Sequence, residues 1–177
     1  MPSGEGDEQR QFREYFTARH DSVRRTAYVL CGDWHWADDL TQNAFMRLAV
    51  SWSKVRDRGA LDAFVRTCLV RAYLAEARRH WRRRESSVAD PPDRLAPPGS
   101  AEGTEGRMAF AAALRRLPAR QRAVLVCRFY QDLDVAATAA ALGCSAGTVK
   151  SQTARGLARL REVLQEDGEI TMAGDWR

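Results

Sequence analysis

Four of the six prolines in this chain fall between residues 86 and 106, together with Gly99, Gly103 and Gly106. Proline removes a backbone donor and glycine adds backbone freedom, so this stretch is expected to be a linker and not an element. On either side of it the apolar residues return at threes and fours, the spacing of a single helix face. The chain therefore reads as all-α, with two small helical domains joined by a flexible linker. Fully stretched, residues 85–107 would reach about 75–80 Å, against roughly 70 Å for two turns of DNA, so the linker is long enough to let the two domains sit on well separated stretches of one duplex.

In the first segment Phe12, Phe16, Val23, Ala27 and Leu30 keep to one side of a helix over 8–31. Gly32 suits the left-handed stop of that helix and Asp33 the cap of the next. The second helix has Ala37, Leu40, Ala44 and Leu48 as its inward stripe and Asp38, Asp39, Gln42 and Asn43 on the opposite side. Residues 53–59 hold breakers and read as a loop. A long helix is expected from Leu61 to Arg84, with Leu61, Phe64, Val65, Cys68, Leu69, Ala72 and Ala75 as its apolar side. Beyond the break come a helix over 108–117, one opened by Pro118 and running to Tyr130, and a short helix capped by Asp134 through Leu142. Ser145 caps a last helix to about Leu164, and 168–177, with Ile170, Met172 and Trp176, is expected to be a mobile tail.

Charge is distributed in blocks. The chain has 28 Lys and Arg against 23 Asp and Glu, a net of +5. Only Lys54 and Lys150 are lysines; every other cation is arginine, whose flat fork matches phosphate and base edges. Residues 60–84 and 108–164 are both strongly basic, while 85–107 and 165–177 are acidic. Two basic bodies around an acidic connector favour nucleic acid as the partner.

Three groups of residues carry specific chemistry. A short helix, a tight turn with glycine and a longer helix over 134–164 make the helix-turn-helix layout. With Val149, Gly156, Leu157, Leu160 and Leu164 inward, Thr148, Lys150, Ser151, Ala154 and Arg155 face out where a recognition helix meets the major groove. Arg66, Arg71, Arg78, Arg79, Arg82, Arg83 and Arg84 lie on the long helix with Phe64, Tyr73 and Trp81 interleaved. Arginines hold phosphates and aromatic rings stack on unstacked bases; phosphate contact is favoured for the run Arg78–Arg84, whereas for Phe64 core packing is favoured. The Asp38–Asp39 pair has no histidine or third carboxylate three or four residues further along the helix, and neighbours on a helix point about 100° apart, so a polar docking face fits better than acid–base catalysis.

The run Ala37–Phe45, the basic helix 60–84 and Gly143–Ser151 closely resemble the extracytoplasmic-function (ECF) sigma factors of bacterial RNA polymerase. The likeness covers about residues 10–165, and the arginine and alanine bias resembles an actinobacterial member. It implies sigma region 2, a helical bundle, over 10–84, a linker over 85–107, sigma region 4 over 108–165 and a C-terminal tail over 166–177. It also implies that Asp39, Leu40, Gln42 and Asn43 bind the clamp helices of core RNA polymerase, with the flap as a second contact. On promoter DNA, Arg66, Arg71, Arg78, Arg79, Arg82 and Arg83 would serve the −10 element, opened by the loop at 52–60 and the helix after it. Thr148, Lys150, Ser151, Ala154 and Arg155 would read the −35 element. The acidic linker, with Glu102 and Glu105, would thread toward the active-site channel. Many members are held by an anti-sigma factor, and the family is cytoplasmic. Asn43 stands where the family commonly has glutamate and Arg71 where it commonly has asparagine.

Other classes find less support. No run approaches the roughly 18–20 apolar residues of a membrane span, so membrane insertion is not expected, and the polar, acidic N-terminus is no signal peptide. Cys31, Cys68, Cys127 and Cys144 show no metal-ligand spacing and read as buried, reduced thiols, with no metal and no cofactor expected. No nucleophile–base pair or phosphate loop suggests an enzyme. A stand-alone helix-turn-helix regulator is the alternative reading; it would have no use for the Asp39–Asn43 face.

Overall fold

The computed structural model describes residues 3–85 and 104–166, with side chains over 6–82 and 110–166. The described residues are helical, with no strand among them. The expectations for the middle of the linker and for the tail beyond Glu166 lie outside the described residues, as do the side chains of Arg83 and Arg84.

Helix α1 (Ser3–Cys31) buries Ala27 and Leu30 completely and lays Phe12, Phe16 and Val23 against the same core. It stops where Gly32 takes φ +74° and returns its N–H to Tyr28 O at 2.7 Å. Asp33 caps α2 (Trp34–Ser51), its Oδ1 accepting from Trp36 N at 2.8 Å. Ala37, Leu40, Ala44 and Leu48 are each 0% exposed, which matches the expected stripe. Thr41 and Phe45 are buried beside it, the Thr41 hydroxyl donating to Ala37 O at 2.7 Å.

The segment expected as a loop connects α2 to the next helix through two 3₁₀ turns, Trp52–Lys54 and Arg58–Ala60, with extended Val55 and Asp57 between them. Trp52 anchors the first: it is buried, meets Phe12 edge-on at 5.2 Å, and carries the Arg58 guanidinium 4.1 Å over its ring. Asp57 Oδ1 accepts from Gly59 N at 2.8 Å and shapes the second. Helix α3 (Leu61–Glu85) follows and is tied to α1 where Tyr15 donates to Asp62 at 2.8 Å and Arg19 pairs with the same carboxylate at 2.9 Å.

In the second half, α4 (Thr104–Arg115) begins earlier than expected, carrying Gly106 in its first turn, so the end of the supposed linker is helical. Pro118 sits at the N-cap of α5 (Ala119–Leu125), one position before the helix proper. The helix then loosens into a π turn over Val126–Tyr130, with Gln131 N donating to Val126 O at 2.9 Å. Helices α6 (Val135–Leu142) and α7 (Ala146–Glu166) complete the chain.

The two halves pack against each other in this structure. Helices α4, α5 and α6 and the π turn pack against α1 and α3. One continuous apolar cluster includes Leu30, Val70 and Tyr73 from the first half and Leu117, Val126 and Cys127 from the second. This explains two departures. On α3, Val70 and Tyr73 are 1% exposed although they lie off the expected apolar side. From α5 into the π turn the run Ala123, Val124, Leu125, Val126, Cys127 is buried on all sides, as a helix must be when layers cover it from two directions. Cys31 and Cys127 are buried free thiols, whereas Cys68 and Cys144 are only half-buried. Desolvation pushes the Cys31 thiol up to about 12 and that of Cys127 up to about 11.

Gly32 is placed where a side chain is costly twice. Its φ of +74° is a left-handed conformation, and an added Cβ would land inside van der Waals contact of Arg115 Cδ. Gly32→Ala is therefore expected to lower stability by about 1–2 kcal/mol from the backbone alone, with a further loss as Arg115 is displaced. Urea denaturation followed by circular dichroism checks this.

Candidate nucleic-acid and protein interfaces

The helix-turn-helix is built by local capping. Asp134 Oδ1 accepts from Ala137 N at 2.7 Å and starts α6. Gly143 ends it at φ +65°, and Cys144 N donates back to Ala139 O at 3.0 Å. Ser145 Oγ accepts from Thr148 N at 3.1 Å and lies 2.9 Å from the Thr148 hydroxyl, so α7 starts with a fixed direction. Val149, Gly156, Leu160 and Val163 are buried; Val163, and not the half-buried Leu164, closes the stripe. At Gly156 a Cβ would meet Leu125 Cγ at 3.1 Å, so the two helices approach as closely as the missing side chain allows. The result is one outward face carrying Lys150, Ser151, Ala154 and Arg155, all exposed, with Thr148 half-buried at its start. Ser151 Oγ donates to Thr148 O at 3.0 Å.

The arginines of α3 fall into two groups. Arg78, Arg79 and Arg82 are exposed toward its C-terminal end, where Trp81 is 65% exposed, and Arg78 Nε donates to Leu74 O at 3.3 Å. The backbone of Arg83 continues this end of the helix. Arg66 and Arg71 instead meet the second half of the chain. Arg66 Nε donates to Gln131 Oε1 at 3.3 Å, and Arg71 donates to Ala141 O at 3.2 Å and Ala140 O at 3.0 Å. Tyr73, expected among the aromatic residues available for stacking, is buried 5.7 Å from the Trp36 ring, and desolvation pushes its phenol up to about 12. It cannot stack on a base from that position.

On α2, Asp39, Gln42 and Asn43 are exposed on one side, Asn43 Oδ1 accepting from Arg47 Nε at 2.9 Å. Leu40, expected with them, is 0% exposed: it holds the helix to the core and offers no surface to a partner. Asp38 is also spoken for, since both its oxygens take hydrogen bonds from Arg24, which hold its carboxyl below the usual range. Sequence reasoning missed the neighbouring apolar surface. Met46 and Val50 are 62% and 78% exposed and line an open groove between α2 and α3 with Phe64 and Cys68. Their spacing of four from Gln42 was the available signal.

No helix among the described residues is long and apolar enough to cross a membrane, and those residues hold no His, Cys, Asp and Glu cluster suited to a metal ion.

Comparison with known proteins follows the same division. Residues 15–83 match the family model for sigma-70 region 2, and residues 107–160 match that for sigma-70 region 4. The RNA polymerase sigma-E factor of Streptomyces avermitilis is 35% identical over 158 residues, covering 88% of this chain and 86% of its own length. The ECF RNA polymerase sigma factor SigM of Mycobacterium tuberculosis is 32% identical over 156 residues, covering 86% of this chain and 76% of its own. Among solved structures, the sigma factor RpoE in complex with the anti-sigma factor NepR from Bartonella quintana aligns with a TM-score of 0.74 at 25% identity, over 89% of this chain and 98% of that one. CnrH in complex with the cytosolic domain of CnrY shares the fold, with a TM-score of 0.59 at 18% identity over 90% of each chain.

Proposed function

The chain belongs to the extracytoplasmic-function family of RNA polymerase sigma factors, and on that premise we propose that it binds core polymerase and directs initiation at promoters it selects itself. Residues 10–84 act as region 2, 108–165 as region 4, 85–107 as the connection and 166–177 as a tail. Asp39, Gln42 and Asn43 dock on the clamp helices, with Met46 and Val50 adding apolar contact beside them. The second half meets the flap and reads the −35 element, Lys150 and Arg155 reaching base edges from the face that Thr148, Ser151 and Ala154 complete. Arg78, Arg79, Arg82 and Arg83 hold phosphates of the −10 strand as it opens, and Arg66 and Arg71 extend the same row. The work is promoter selection and strand opening through differential binding, with no covalent chemistry. An anti-sigma factor is a further partner, a reading supported by the complexes in which RpoE and CnrH are found.

The observation that carries this reading is the outward row from Lys150 to Arg155 on a helix whose preceding turn is bounded by the left-handed Gly143 and the Ser145 cap. Transcription in vitro with purified core polymerase on genomic fragments, with start sites mapped, tests it. Discrete starts that need the chain are expected. Lys150→Ala is expected to weaken initiation by about 5–150-fold, the equivalent of one specific base contact, while core binding is unchanged. Asp39→Arg should do the reverse, abolishing core binding while leaving the −35 face intact. A chain that never joins core, or joins it and starts no transcript at any defined site, overturns the proposal.

A further inference from the structure

Four arginines cross the boundary between the halves, and three of them are aimed at backbone carbonyls at a helix C-terminus. From the second half, Arg122 Nη1 donates to Leu30 O at 2.7 Å and Arg115 Nη1 to Gly32 O at 3.1 Å, both at the end of α1. From the first half, Arg71 donates to Ala140 O and Ala141 O at the end of α6. The last carbonyls of a helix have no partner within it and carry the negative end of its dipole, so a guanidinium is the matching cap. Each half thus completes a helix of the other. Gln131 adds a fourth tie, accepting from Arg66 and donating to Thr26 Oγ1 at 2.7 Å.

The two DNA faces fare differently in this arrangement. The Lys150–Arg155 face is exposed, and so are Arg78, Arg79 and Arg82. Arg66, half-buried, and Arg71, exposed at the rim, spend guanidinium donors on the boundary, so a phosphate would compete with those contacts. We infer that this is a latched resting form, in which reciprocal arginine caps withhold the middle of the α3 arginine row from single-stranded DNA while the upstream reader stays available. This rests on the proposed role of those arginines at the −10 strand. Parting the halves would also uncover Leu30, Val70 and Tyr73 on one side and Val126 and Cys127 on the other, so the free chain stays closed until another surface covers them. The connecting residues 86–103, if extended, span up to about 60 Å and permit the separation.

The test uses the full chain carrying Arg115→Met and, separately, Gln131→Ala. Both loosen the boundary, and neither residue belongs to the proposed DNA faces. Binding of a fluorescein-labelled 20-nucleotide oligodeoxythymidine is measured by anisotropy at fixed salt, and the radius of gyration by small-angle scattering. Arg115→Met is expected to bind the strand at least about threefold more tightly than the unmodified chain, although it has lost a positive charge, and to expand measurably. Gln131→Ala changes no charge and is expected to move both readings in the same direction. If neither variant expands, the latch is wrong. If they expand and strand binding stays the same or weakens, withholding is wrong and the fault lies with the DNA role assigned to Arg66 and Arg71.

Discussion

Arg122→Met is expected to lower the folding stability by about 3 kcal/mol. The guanidinium sits between the halves and reaches three carbonyls: Leu30 O at 2.7 Å, Arg115 O at 2.6 Å and Leu117 O at 3.1 Å. Two of these belong to the end of α4 and the turn after it, and one to the end of α1, so a single side chain closes both. Its own enclosure has a cost. Desolvation pulls its pKa below the ordinary value, and Nε is buried without a partner. The substitution costs more than the net value of the arginine, because methionine fills the stem yet leaves three carbonyls without their donor. A hydrogen bond to a charged group contributes about 1.5–3 kcal/mol, and the recovered desolvation offsets only part of the three lost together.

The measurement is urea denaturation, with a fall in melting temperature of about 6–12 °C as its thermal counterpart for a chain of this size. Arg122→Lys separates geometry from charge. An ammonium on a flexible stem is a point donor and does not span carbonyls on two helices as the fork does, so lysine is expected to restore only a minor part of the loss. Full restoration by lysine would show that charge at the two helix ends, and not the fork, is what matters.

What was legible in the sequence is what local chemistry decides. Gly32, Asp33, Asp134, Gly143 and Ser145 each act on backbone within a few residues, so the ends of α1, α2, α6 and α7 follow from composition and spacing. The α2 stripe was legible for the same reason, and it already placed Leu40 inward; the motif resemblance placed it at the docking face, and burial at 0% decides for the stripe. The burial of Val70 and Tyr73 was not legible, because it depends on a second layer supplied by residues more than forty positions away. Its one trace was the unbroken apolar run Ala123–Cys127, too apolar for a helix with a free side. Arginine misled most. Twenty-six of them in a basic chain invite phosphate, yet Arg24 serves Asp38, Arg58 lies over Trp52, and Arg71, Arg115 and Arg122 serve carbonyls. Identity and spacing do not distinguish a guanidinium meant for DNA from one that holds the fold.

That ambiguity is resolved by salt. Holoenzyme affinity for promoter DNA is expected to fall by on the order of a thousandfold between 50 and 200 mM salt, the loss for six or more neutralised phosphates. Core polymerase contributes to that total, so the informative quantity is the change in slope when named arginines are removed. Each phosphate contact adds about 0.7–0.9 to the slope of log affinity against log salt, the lower figure applying to single strands. Arg78, Arg79 and Arg82 are exposed together on α3, and replacing all three with glutamine is expected to reduce the slope by about 2–3. Arg115 and Arg122 are committed to carbonyls, and substituting Arg115 in the assembled holoenzyme should leave the slope where it was. An unchanged slope in the triple variant would return Arg78, Arg79 and Arg82 to the status of a solvated helix end. A slope that fell for Arg115 as well would place DNA on the boundary side of the molecule. The comparison therefore sorts structural from DNA-facing arginines by counting ions released, and any promoter fragment that the holoenzyme binds will serve.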